Sequence, residues 1–496
     1  MLNNGKTSIV LVPEISLTPQ TVDRFISRFG QDNVAVLHSK LSSGERFDQW
    51  HKIKNKQAKI VIGARSAIFA PVTDLGIIII DEEHDNSYKS DMTPKYNAKE
   101  VARFIARNAN IPLVLGSATP DIDTYFKSKN GEIELLELTK RANNSVLPNI
   151  EIVDLRQEMI NGNRNMISTK LYNEIEKNIK EKKQTILFLN RRGFSTFIMC
   201  RDCGYTVKCK NCNITLTYHS RTNKLKCHYC GYVTDTVREC PECKSKNIRY
   251  FGAGTQKLEL EVNKLFPKAS TIRMDVDTVN KTNSYEKILN TFKNDNINIL
   301  IGTQMVVKGH HFPNVTLVGI IAADATINIE DFRAGEKTFQ TITQVAGRAG
   351  RANNEGKVII QTYNPDNYAI EFAKKQDYTL FYDTEIELRK QLKYPPFCDI
   401  IQVGFNSENE QNIKIISEKI HSYLKNKILE DNIPIILYKP VPSPIDRIKN
   451  KYRWRMIIKC KFGKDIIEVL NNCMKEYGKK FLDVKISIDV NPTNMM

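Results

Sequence analysis

The sequence predicts an α/β protein that carries a cysteine-rich insert and ends in a small α+β domain. Three observations support this prediction. Aliphatic runs alternate with helix-length stretches over residues 1–140, and eight of the eleven cysteines lie between positions 200 and 243. A pair of prolines at positions 395 and 396 separates the last part of the chain from what precedes it. With 496 residues, the chain has room for about two to four domains.

Composition narrows the class of protein. Hydrophobic residues make up 41% of the chain and charged residues 26%, as in a folded soluble protein. No stretch approaches the ~20 apolar residues of a membrane span, and the first residues lack the pattern of a secretory signal. We therefore expect a cytoplasmic protein with no membrane partner. The net charge of +17 favours nucleic acid as a partner, although a generally lysine-rich composition would explain the same excess.

Continuous aliphatic runs predict parallel strands that are buried on both faces. The runs are 9–12, 34–37, 60–62, 77–80 and 113–115, and helix-length stretches such as 19–29 and 98–109 lie between them. This β-α-β order is typical of a doubly wound sheet. A second set begins downstream, where the aliphatic run 299–301 precedes a polar turn.

An acidic turn with the sequence Asp-Glu-Glu-His (81–84) directly follows the strand 77–80. The carboxyl edge of a parallel sheet is where such folds bind ligands. Asp81 is placed to hold Mg²⁺, and Glu82 is placed to polarise the water that attacks a γ-phosphate. The alternative is an acidic cap on the strand. The next predicted strand ends in the turn 116–120, which contains two hydroxyls.

Two arginines, Arg348 and Arg351, stand three positions apart at what we predict to be the start of a helix. Small residues lie between them, so both guanidinium groups can project from one face toward a phosphate chain. Such arginines stabilise the charge that develops in phosphoryl transfer. An exposed basic helix is the alternative.

The clustered cysteines form four Cys-x-x-Cys units, which are Cys200 and Cys203, Cys209 and Cys212, Cys227 and Cys230, and Cys240 and Cys243. Two such turns complete a tetrahedral Cys₄ zinc site, so four units predict two zinc ions. We expect both ions to be structural, because closed all-thiolate sites leave no open coordination position. The four units can pair in three ways. We expect the neighbouring His219 and His228 to be packing or surface residues and not ligands, and the surrounding basic residues either dock a partner or offset the thiolate charge.

Aromatic and basic residues occur together just after the acidic turn. Tyr88 and Lys89 could stack on bases and hold phosphate. Their position next to the acidic turn would couple DNA contact to ATP turnover. The alternative is a surface loop.

A second segment of this kind, 447–455, lies near the end of the chain and suits single-stranded or forked DNA. In a strand, Tyr452 and Trp454 would share one face. Arg453 and Arg455 would share the other face. The aromatic pair could equally belong to the core.

Three of these stretches, in chain order, resemble motifs II, III and VI of superfamily 2 helicases: DEEH (81–84), GSATP (116–120) and QVAGRAGR (344–351). Nearly the whole chain resembles the PriA family of primosomal replication-restart helicases. The stretches that carry this resemblance are LVPEISLTPQ (11–20), GARSAIFAP (63–71), DEEHDNSYK (81–89), FLNRRGFS (188–195), the eight-cysteine insert, GTQMVVKGHHFP (302–313) and DFRAGEKTFQ (331–340).

This resemblance implies two RecA-like helicase lobes, at 1–140 and 141–390, with a zinc-binding insert at 198–250 and a C-terminal α+β DNA- or partner-binding domain at 391–496. It implies an ATP- and Mg²⁺-dependent 3′→5′ DNA helicase that recognises stalled or D-loop forks and initiates replication restart by primosome assembly at the nucleoid. Its partners would be forked and single-stranded DNA, primosome proteins, single-strand-binding protein and the loader of the replicative helicase.

The resemblance also implies roles for individual residues. It pairs the cysteines in a nested way, with Cys200, Cys203, Cys240 and Cys243 on one ion and Cys209, Cys212, Cys227 and Cys230 on the other. It assigns the coupling of lobe closure to hydrolysis to His84, Gln344 and Gly309. It assigns contacts with the DNA strand to Thr18, Arg65 and Thr119, and it supports the coupling role of Tyr88 and Lys89.

One feature of the family does not occur in the sequence. Gly5, Lys6 and Thr7 suggest a P-loop, but the pattern GxxxxGK[ST] would need a glycine at position 0, and a predicted strand follows instead of a helix. In the family the P-loop precedes a whole helix ahead of the VPEI strand, so we expect a truncated chain, a mis-called start or a decayed copy. This chain alone should hydrolyse ATP poorly or not at all. The alternative function is a non-catalytic zinc-bearing scaffold for fork DNA and the primosome.

Overall fold

The structure is a computed structural model that describes residues 4–14, 19–140, 147–189, 197–219, 222–251, 254–275, 284–294, 297–303, 312–350, 356–478 and 483–495. Among these, residues 4–136 form one compact unit and residues 137–495 form another. We refer to them as the first and second units. Within the described ranges, no helix is long and apolar enough to cross a bilayer.

The first unit is a parallel sheet with a hydrophobic core on each face. Its strands are β1 (Thr7–Leu11), β2 (Val34–Leu37), β3 (Ile60–Gly63), β4 (Leu75–Ile80) and β5 (Leu113–Leu115), and its helices are α1 (Pro19–Phe29), α2 (Ser43–Lys54), α3 (Ala98–Ala109) and α4 (Ile122–Lys129). The strand order is β2-β3-β1-β4-β5, and every pairing is parallel. The predicted aliphatic runs are therefore the strands of a doubly wound sheet.

Local capping sets where two helices of this unit begin. The Ser42 hydroxyl accepts a hydrogen bond from the backbone N–H of Glu45, and the Glu45 carboxylate accepts one from the backbone N–H of Ser42, so α2 begins at a capping box. Helix α3 begins after Asn97, whose side chain accepts from the N–H of Lys99. Caps of this kind stabilise a helix by about 1 kcal/mol each.

Strand β5 lies at the edge of this sheet. It pairs with β4 on one side, and no described strand pairs with its other side. Val114, at its centre, is 43% exposed although it is apolar. An apolar edge with unpaired backbone groups is a surface on which a further strand can pair.

The second unit contains three sheet systems. Its strands are β6 (Asn149–Asp154), β7 (Gln184–Phe188), β8 (Phe197–Cys200), β9 (Thr217–His219), β10 (Lys224–Lys226), β11 (Val233–Asp235), β12 (Ile248–Phe251), β13 (Thr271–Met274), β14 (Ile299–Gly302), β15 (Val315–Ile320), β16 (Lys357–Thr362), β17 (Asp399–Ser407), β18 (Ile436–Leu437), β19 (Val441–Ile448), β20 (Lys451–Cys460) and β21 (Lys485–Val490). Its helices are α5 (Leu155–Ile160), α6 (Thr169–Lys180), α7 (Thr255–Leu265), α8 (Ser284–Asn294), α9 (Asp324–Ile327), α10 (Ala334–Ala346), α11 (Tyr368–Lys375), α12 (Tyr378–Gln391), α13 (Glu410–Glu430) and α14 (Lys464–Tyr477).

A second parallel sheet, of order β13-β14-β7-β15-β16-β6, forms the first of these systems. The short antiparallel strands β8 to β12 form the cysteine-rich insert. The third system is the antiparallel sheet β18-β20-β17-β21, with β19 paired to β20. Its core on one face includes α13 and α14. These features confirm the predicted fold class: two parallel-sheet lobes, a cysteine-rich insert and a final α+β region.

The other face of the antiparallel sheet shares a core with the insert. Ile400 and Ile457 from the sheet belong to the same buried cluster as Cys209 and Tyr229 from the insert. Two glycines mark close approaches around the insert. A Cβ on Gly204 would lie 2.3 Å from the carbonyl oxygen of Tyr363, and one on Gly231 would lie 2.8 Å from Val441. The insert is therefore packed against both its own lobe and the final domain.

Substitution of Gly204 should show how tightly the insert packs. Gly204 has φ +78°, and Gly162, in the same unit, has φ +88° with open space around it. We expect Gly162→Ala to lower the free energy of unfolding by about 1–2 kcal/mol through backbone strain alone. Gly204→Ala adds a clash with backbone atoms and should cost clearly more. Chemical denaturation measures both, and equal losses would contradict the close packing.

Candidate functional site

The predicted Mg²⁺-binding carboxylate lies at the carboxyl edge of the first sheet. The N–H of Asp81 donates to the carbonyl of Leu11 at 2.9 Å, which continues the pairing of β4 with β1. The Asp81 carboxylate accepts from the N–H of Glu82 at 3.0 Å. Partial desolvation by the surrounding protein raises the pKa of Asp81, although the Glu82 N–H opposes this shift. An exposed carboxylate in such a position suits a hard divalent cation.

Glu82 turns away from the strand. Its φ of +45° bends the chain sharply after Asp81. Its Oε2 atom is buried and has no hydrogen-bond partner among the described residues, and it lies 3.7 Å from Nδ1 of His84. The role that the sequence predicted for Glu82, which is to polarise the attacking water, remains a prediction.

His84 connects the two strand-end turns of this sheet. Its Nδ1 lies 2.7 Å from Oγ of Ser117, and that oxygen accepts from the N–H of Thr119 at 3.0 Å. His84 is 8% exposed, so the bond is shielded from solvent. This hydrogen bond links the acidic turn to the hydroxyl turn. The role of His84 in coupling remains a prediction.

Glu83 is a buried anchor that the sequence analysis did not single out. It is 1% exposed and accepts from Lys99 Nζ at 2.9 Å, Thr124 Oγ1 at 3.0 Å and the N–H of Asp121 at 2.7 Å. Burial alone would lower the pKa of Lys99, but Asp121 and Glu83 outweigh burial and raise it. In the sequence, two adjacent glutamates are equivalent, and only the fold shows which one turns inward.

The structure corrects the expected stacking of Tyr88 on DNA bases. Tyr88 is 1% exposed, and its hydroxyl donates to the carbonyls of Asp81 at 2.6 Å and Leu11 at 3.1 Å. In this arrangement its ring has no face open to a base, because the ring packs in the core of the first unit. Tyr88 instead fixes the backbone at Asp81.

The other described residues of this unit that were predicted to contact DNA are half-buried or buried. Arg65 is half-buried and donates to the carbonyls of Ser87 and Lys89, so it fastens the loop after the acidic turn. Lys89 and Thr119 are 7% and 1% exposed. Their DNA roles remain predictions. Thr18, Gly309 and Arg351 lie outside the described residues.

Arg348, the described one of the two predicted arginines, follows a helix instead of starting one. Helix α10 ends at Ala346, and Gly347 occupies its C-terminal cap. The expectation that Arg348 begins a helix was therefore wrong, because the small residues that suggested a start form the turn after the helix. Gln344 and Arg348 are both half-buried and stand four positions apart at this end of α10.

The cysteines form two groups of four. In each group the sulfur atoms lie within 4.8 Å of one another, and the groups are Cys200, Cys203, Cys240 and Cys243, and Cys209, Cys212, Cys227 and Cys230. The Sγ–Sγ distances are 3.6 Å for Cys200 and Cys243, 3.5 Å for Cys203 and Cys240, and 3.6 Å for Cys209 and Cys230. Tetrahedral Zn–S bonds of about 2.3 Å place sulfurs ~3.8 Å apart. The geometry fits two structural Cys₄ zinc sites with the nested pairing.

The two histidines of the insert bind protein groups. Their Nε2 atoms lie 2.9 Å apart, and Nδ1 of His228 lies 2.6 Å from the carboxylate of Glu330. Burial lowers the pKa of His219 to about 4, and His228 adds to this effect. Neither histidine joins a cysteine group. They therefore help to fasten the insert to Glu330, as packing residues and not as zinc ligands.

A buried charge network surrounds the start of α10, and the sequence analysis assigned it no role. Asp331 accepts from Arg333 at 2.9 and 3.1 Å and from Lys337 at 2.7 Å. Burial would raise the pKa of Asp331, but these two cations lower it. On the same helix, Glu336 accepts from Arg389 of α12 at 2.6 Å. In the sequence, the mixture of acidic and basic residues in DFRAGEK is the pattern that could have indicated this charge network.

The basic hairpin β19–β20 confirms one sequence prediction and resolves an alternative. Tyr452 and Trp454 do share a face, but that face packs on the core with α13, and Trp454 Nε1 donates to Glu410 at 3.3 Å. Arg455 is 1% exposed and donates to the carbonyl of His228 at 3.0 Å. Arg453 is half-buried, and burial lowers its pKa.

Four family models match the chain. The DEAD/DEAH box helicase model matches residues 1–127, and the helicase conserved C-terminal domain matches 236–353. The PriA DNA helicase Cys-rich region domain matches 209–234, and the primosomal protein N C-terminal domain matches 390–493. Together with the two parallel sheets and the acidic turn, these matches define a superfamily 2 helicase chain.

Curated relatives narrow this class to one family. The chain is 48% identical to the replication restart protein PriA of Bacillus subtilis over its whole length, and 41% identical to that of Synechocystis over 92% of its length. It covers 61% and 56% of those proteins. It is also 38% identical to the Treponema pallidum protein, of which it covers 74%. The chain belongs to the PriA replication restart family and spans about three fifths of the first two relatives.

Zinc content should follow the cysteine groups. We expect about two zinc ions per chain, about one after Cys209→Ser, and no change after Cys398→Ser, a cysteine outside both groups. Adding Cys230→Ser to Cys209→Ser should leave about one ion, whereas adding Cys200→Ser should leave almost none. Elemental analysis of the purified proteins measures this. Equal zinc in the two double variants would contradict the pairing.

Loss of the Glu83 carboxylate should destabilise the first unit. Glu83→Gln removes the Glu83 carboxylate from buried Lys99, which stays paired with Asp121. Loss of a hydrogen bond to a charged group costs about 2 kcal/mol. Glu100→Gln is the matched control, because Glu100 pairs with Arg103 at the surface and should cost less than about 1 kcal/mol. Thermal unfolding compares the two variants. A loss for Glu83→Gln no larger than the control would refute its anchoring role.

Proposed function

We propose that this chain forms the helicase and C-terminal regions of a replication restart enzyme that uses ATP to move 3′→5′ along DNA at stalled or D-loop forks and initiates primosome assembly. The acidic turn 81–84 supports this proposal most directly. It lies at the carboxyl edge of a parallel sheet and is hydrogen-bonded to the hydroxyl turn at Ser117. The proposed location is the cytoplasm, at the nucleoid.

The proposed roles divide between the two units. Asp81 would hold Mg²⁺, and Glu82 would orient and polarise the attacking water. When bound, Mg²⁺ supplies positive charge that stabilises the phosphate oxygens. Arg348 and Arg351 would stabilise developing phosphate charge. His84, Gln344 and Gly309 would couple nucleotide hydrolysis to movement.

The open edge of β5 supports the proposal that a further strand, followed by a phosphate-binding loop, pairs with it. The 496 residues contain no GxxxxGK[ST] sequence. A further parallel strand paired with β5 would end beside Gly116 and Ser117, because parallel strands finish at one edge of a sheet. A phosphate-binding loop after such a strand would face the acidic turn. We therefore expect a polypeptide of these 496 residues alone to hydrolyse ATP poorly.

A non-catalytic scaffold is the second candidate function. Each cysteine group has four sulfur atoms, and both groups share one core with the C-terminal sheet, so this region could bind fork DNA or primosome proteins without hydrolysis. Proposed protein partners are the primosome proteins, single-strand-binding protein and the loader of the replicative helicase. Unchanged fork binding together with no hydrolysis in the native protein would favour this candidate.

The hairpin β19–β20 is the proposed DNA contact of the C-terminal region. Arg447, Lys449 and Lys451 are exposed around its tip, and the Arg453 side chain has no hydrogen bond or ion pair with a described residue. Burial lowers the pKa of Arg453 without an acidic group to oppose it, which is a setting that a phosphate would stabilise. Trp454 is committed to the core and would support the strand instead of stacking on bases.

Glu82→Gln tests the proposed hydrolysis directly. In a protein that includes the family's P-loop region, this change should lower ATP turnover by at least about 100-fold and spare DNA binding, because only the activation of water is lost. Glu132→Gln, at an exposed position, is the control. The 496-residue polypeptide should resemble the Glu82→Gln protein in turnover. Unaltered turnover in Glu82→Gln would overturn its assignment.

Arg453→Gln tests the hairpin as a DNA contact. Loss of one phosphate contact should weaken single-strand binding and reduce the salt dependence of log K by about 0.7. Lys427→Gln is the control, because Lys427 lies on α13 and already pairs with Glu430. Fluorescence anisotropy at several salt concentrations measures both quantities. The hairpin would not be the contact if the two variants behaved alike.

A further inference from the structure

The segment 491–495 follows the last strand and is fixed where it leaves the sheet. Asn491 has φ +49°, which turns the chain after β21. Its N–H donates to the carbonyl of Ile400 at 2.7 Å, and its side-chain oxygen accepts from the N–H of Ile400 at 2.9 Å. The segment therefore starts from a defined point at the beginning of β17.

Three basic side chains then bind backbone carbonyls of this segment. Arg333 Nη1 donates to Pro492 at 2.9 Å, and Lys337 Nζ lies 3.5 Å from the carbonyl of Thr493. Arg455 donates to the carbonyl of Met495. Hydrogen bonds from charged donors are stronger than neutral ones. Two of these donors belong to the helicase lobe and one to the C-terminal sheet, so the segment joins the two.

The Met495 side chain anchors the segment in the zinc-site core. It is 0% exposed and belongs to the same cluster as Cys209, Cys212 and Tyr229. Because the Met495 side chain fills this part of the core, the carbonyls of the segment stay within hydrogen-bond distance of the basic side chains. The segment is thus fastened by polar contacts along its backbone and by packing at its end.

The helicase-lobe donors stand at the start of α10 and are themselves held in place. Asp331 binds both Arg333 and Lys337, so a movement of the segment acts on the two head groups together. Helix α10 has 13 residues, which corresponds to a rigid rod of about 20 Å. Gln344 lies near its far end, and Arg348 follows directly. A displacement at the start of the helix would therefore reach these two residues.

We infer that the 491–495 segment is a positioning element for helix α10, and through it for Gln344 and Arg348. This inference rests on the proposed ATP-dependent function, because it gives the C-terminal region a mechanical connection to the residues assigned to phosphate. The segment itself touches no reacting group. Detachment of the C-terminal sheet from the lobe would loosen α10 and lower the rate of hydrolysis.

Hydrogen exchange of the 496-residue polypeptide tests the positioning role without nucleotide. Met495→Ala should speed amide exchange in α10 by about tenfold and leave β14, β15 and β16 unchanged, because Met495 packs in the zinc-site core and not in the core of the parallel sheet. Met495→Leu conserves the volume and should restore protection. Leu429→Ala is the control, because Leu429 is 70% exposed on α13. Unchanged exchange in α10 together with faster exchange in β20 and β21 would overturn the inference.

A second variant keeps the test valid if Met495→Ala fails to fold. Lys337→Gln removes the contact with Thr493 and leaves the Arg333–Asp331 pair intact, so it should speed exchange in α10 to a smaller extent. No change in α10 would again overturn the inference. In a protein that contains the P-loop region, Met495→Ala should lower kcat for ATP with little change in KM.

Failure of the proposed ATP hydrolysis and failure of the positioning role give different results. Normal turnover in Glu82→Gln would refute the proposed hydrolysis and leave the exchange result standing. Normal protection of α10 in Met495→Ala would refute the positioning role and leave the hydrolysis proposal standing.

Discussion

Tetrahedral ligation of zinc by thiolates is the interaction on which the organisation of the second unit depends. The strands of the cysteine-rich insert contain only three or four residues each, too few to form stable sheets by themselves. Four thiolates held within 4.8 Å of one another would repel without a cation between them. Structural zinc contributes about 10 kcal/mol or more to the folding of such small regions.

Within the second unit, the insert packs against both the helicase lobe and the C-terminal sheet. Ile400 and Ile457 extend its core into that sheet, and Glu330 fastens His228 to the lobe. The charge network at Asp331 then connects this region to helix α10. The first unit is organised differently: hydrogen bonds from Lys99 and from the Tyr88 hydroxyl hold its acidic turn.

Local patterns in the sequence were sufficient for the strands of the first sheet, for β14, for the zinc ligands and for the acidic turn. Continuous aliphatic runs became buried parallel strands, and the Cys-x-x-Cys spacing defined the ligand turns. The orientation of individual side chains depends on contacts between residues that are far apart in the sequence. Only the fold shows that Glu83 points inward and that Tyr88 binds the backbone at Asp81. Residue spacing also could not show that Gly347 ends α10 before Arg348, because the same small residues are compatible with a helix start or a turn.

The most direct test of this account is whether the C-terminal sheet unfolds together with the release of zinc. The chain has two tryptophans, so in a Trp50→Phe variant the fluorescence of Trp454 reports on that sheet alone. Zinc release can be followed in the same thermal experiment with a chromophoric chelator. The account predicts that both signals change in one transition and that removal of zinc lowers the Trp454 transition temperature. A Trp454 transition that is unaffected by zinc removal would contradict it.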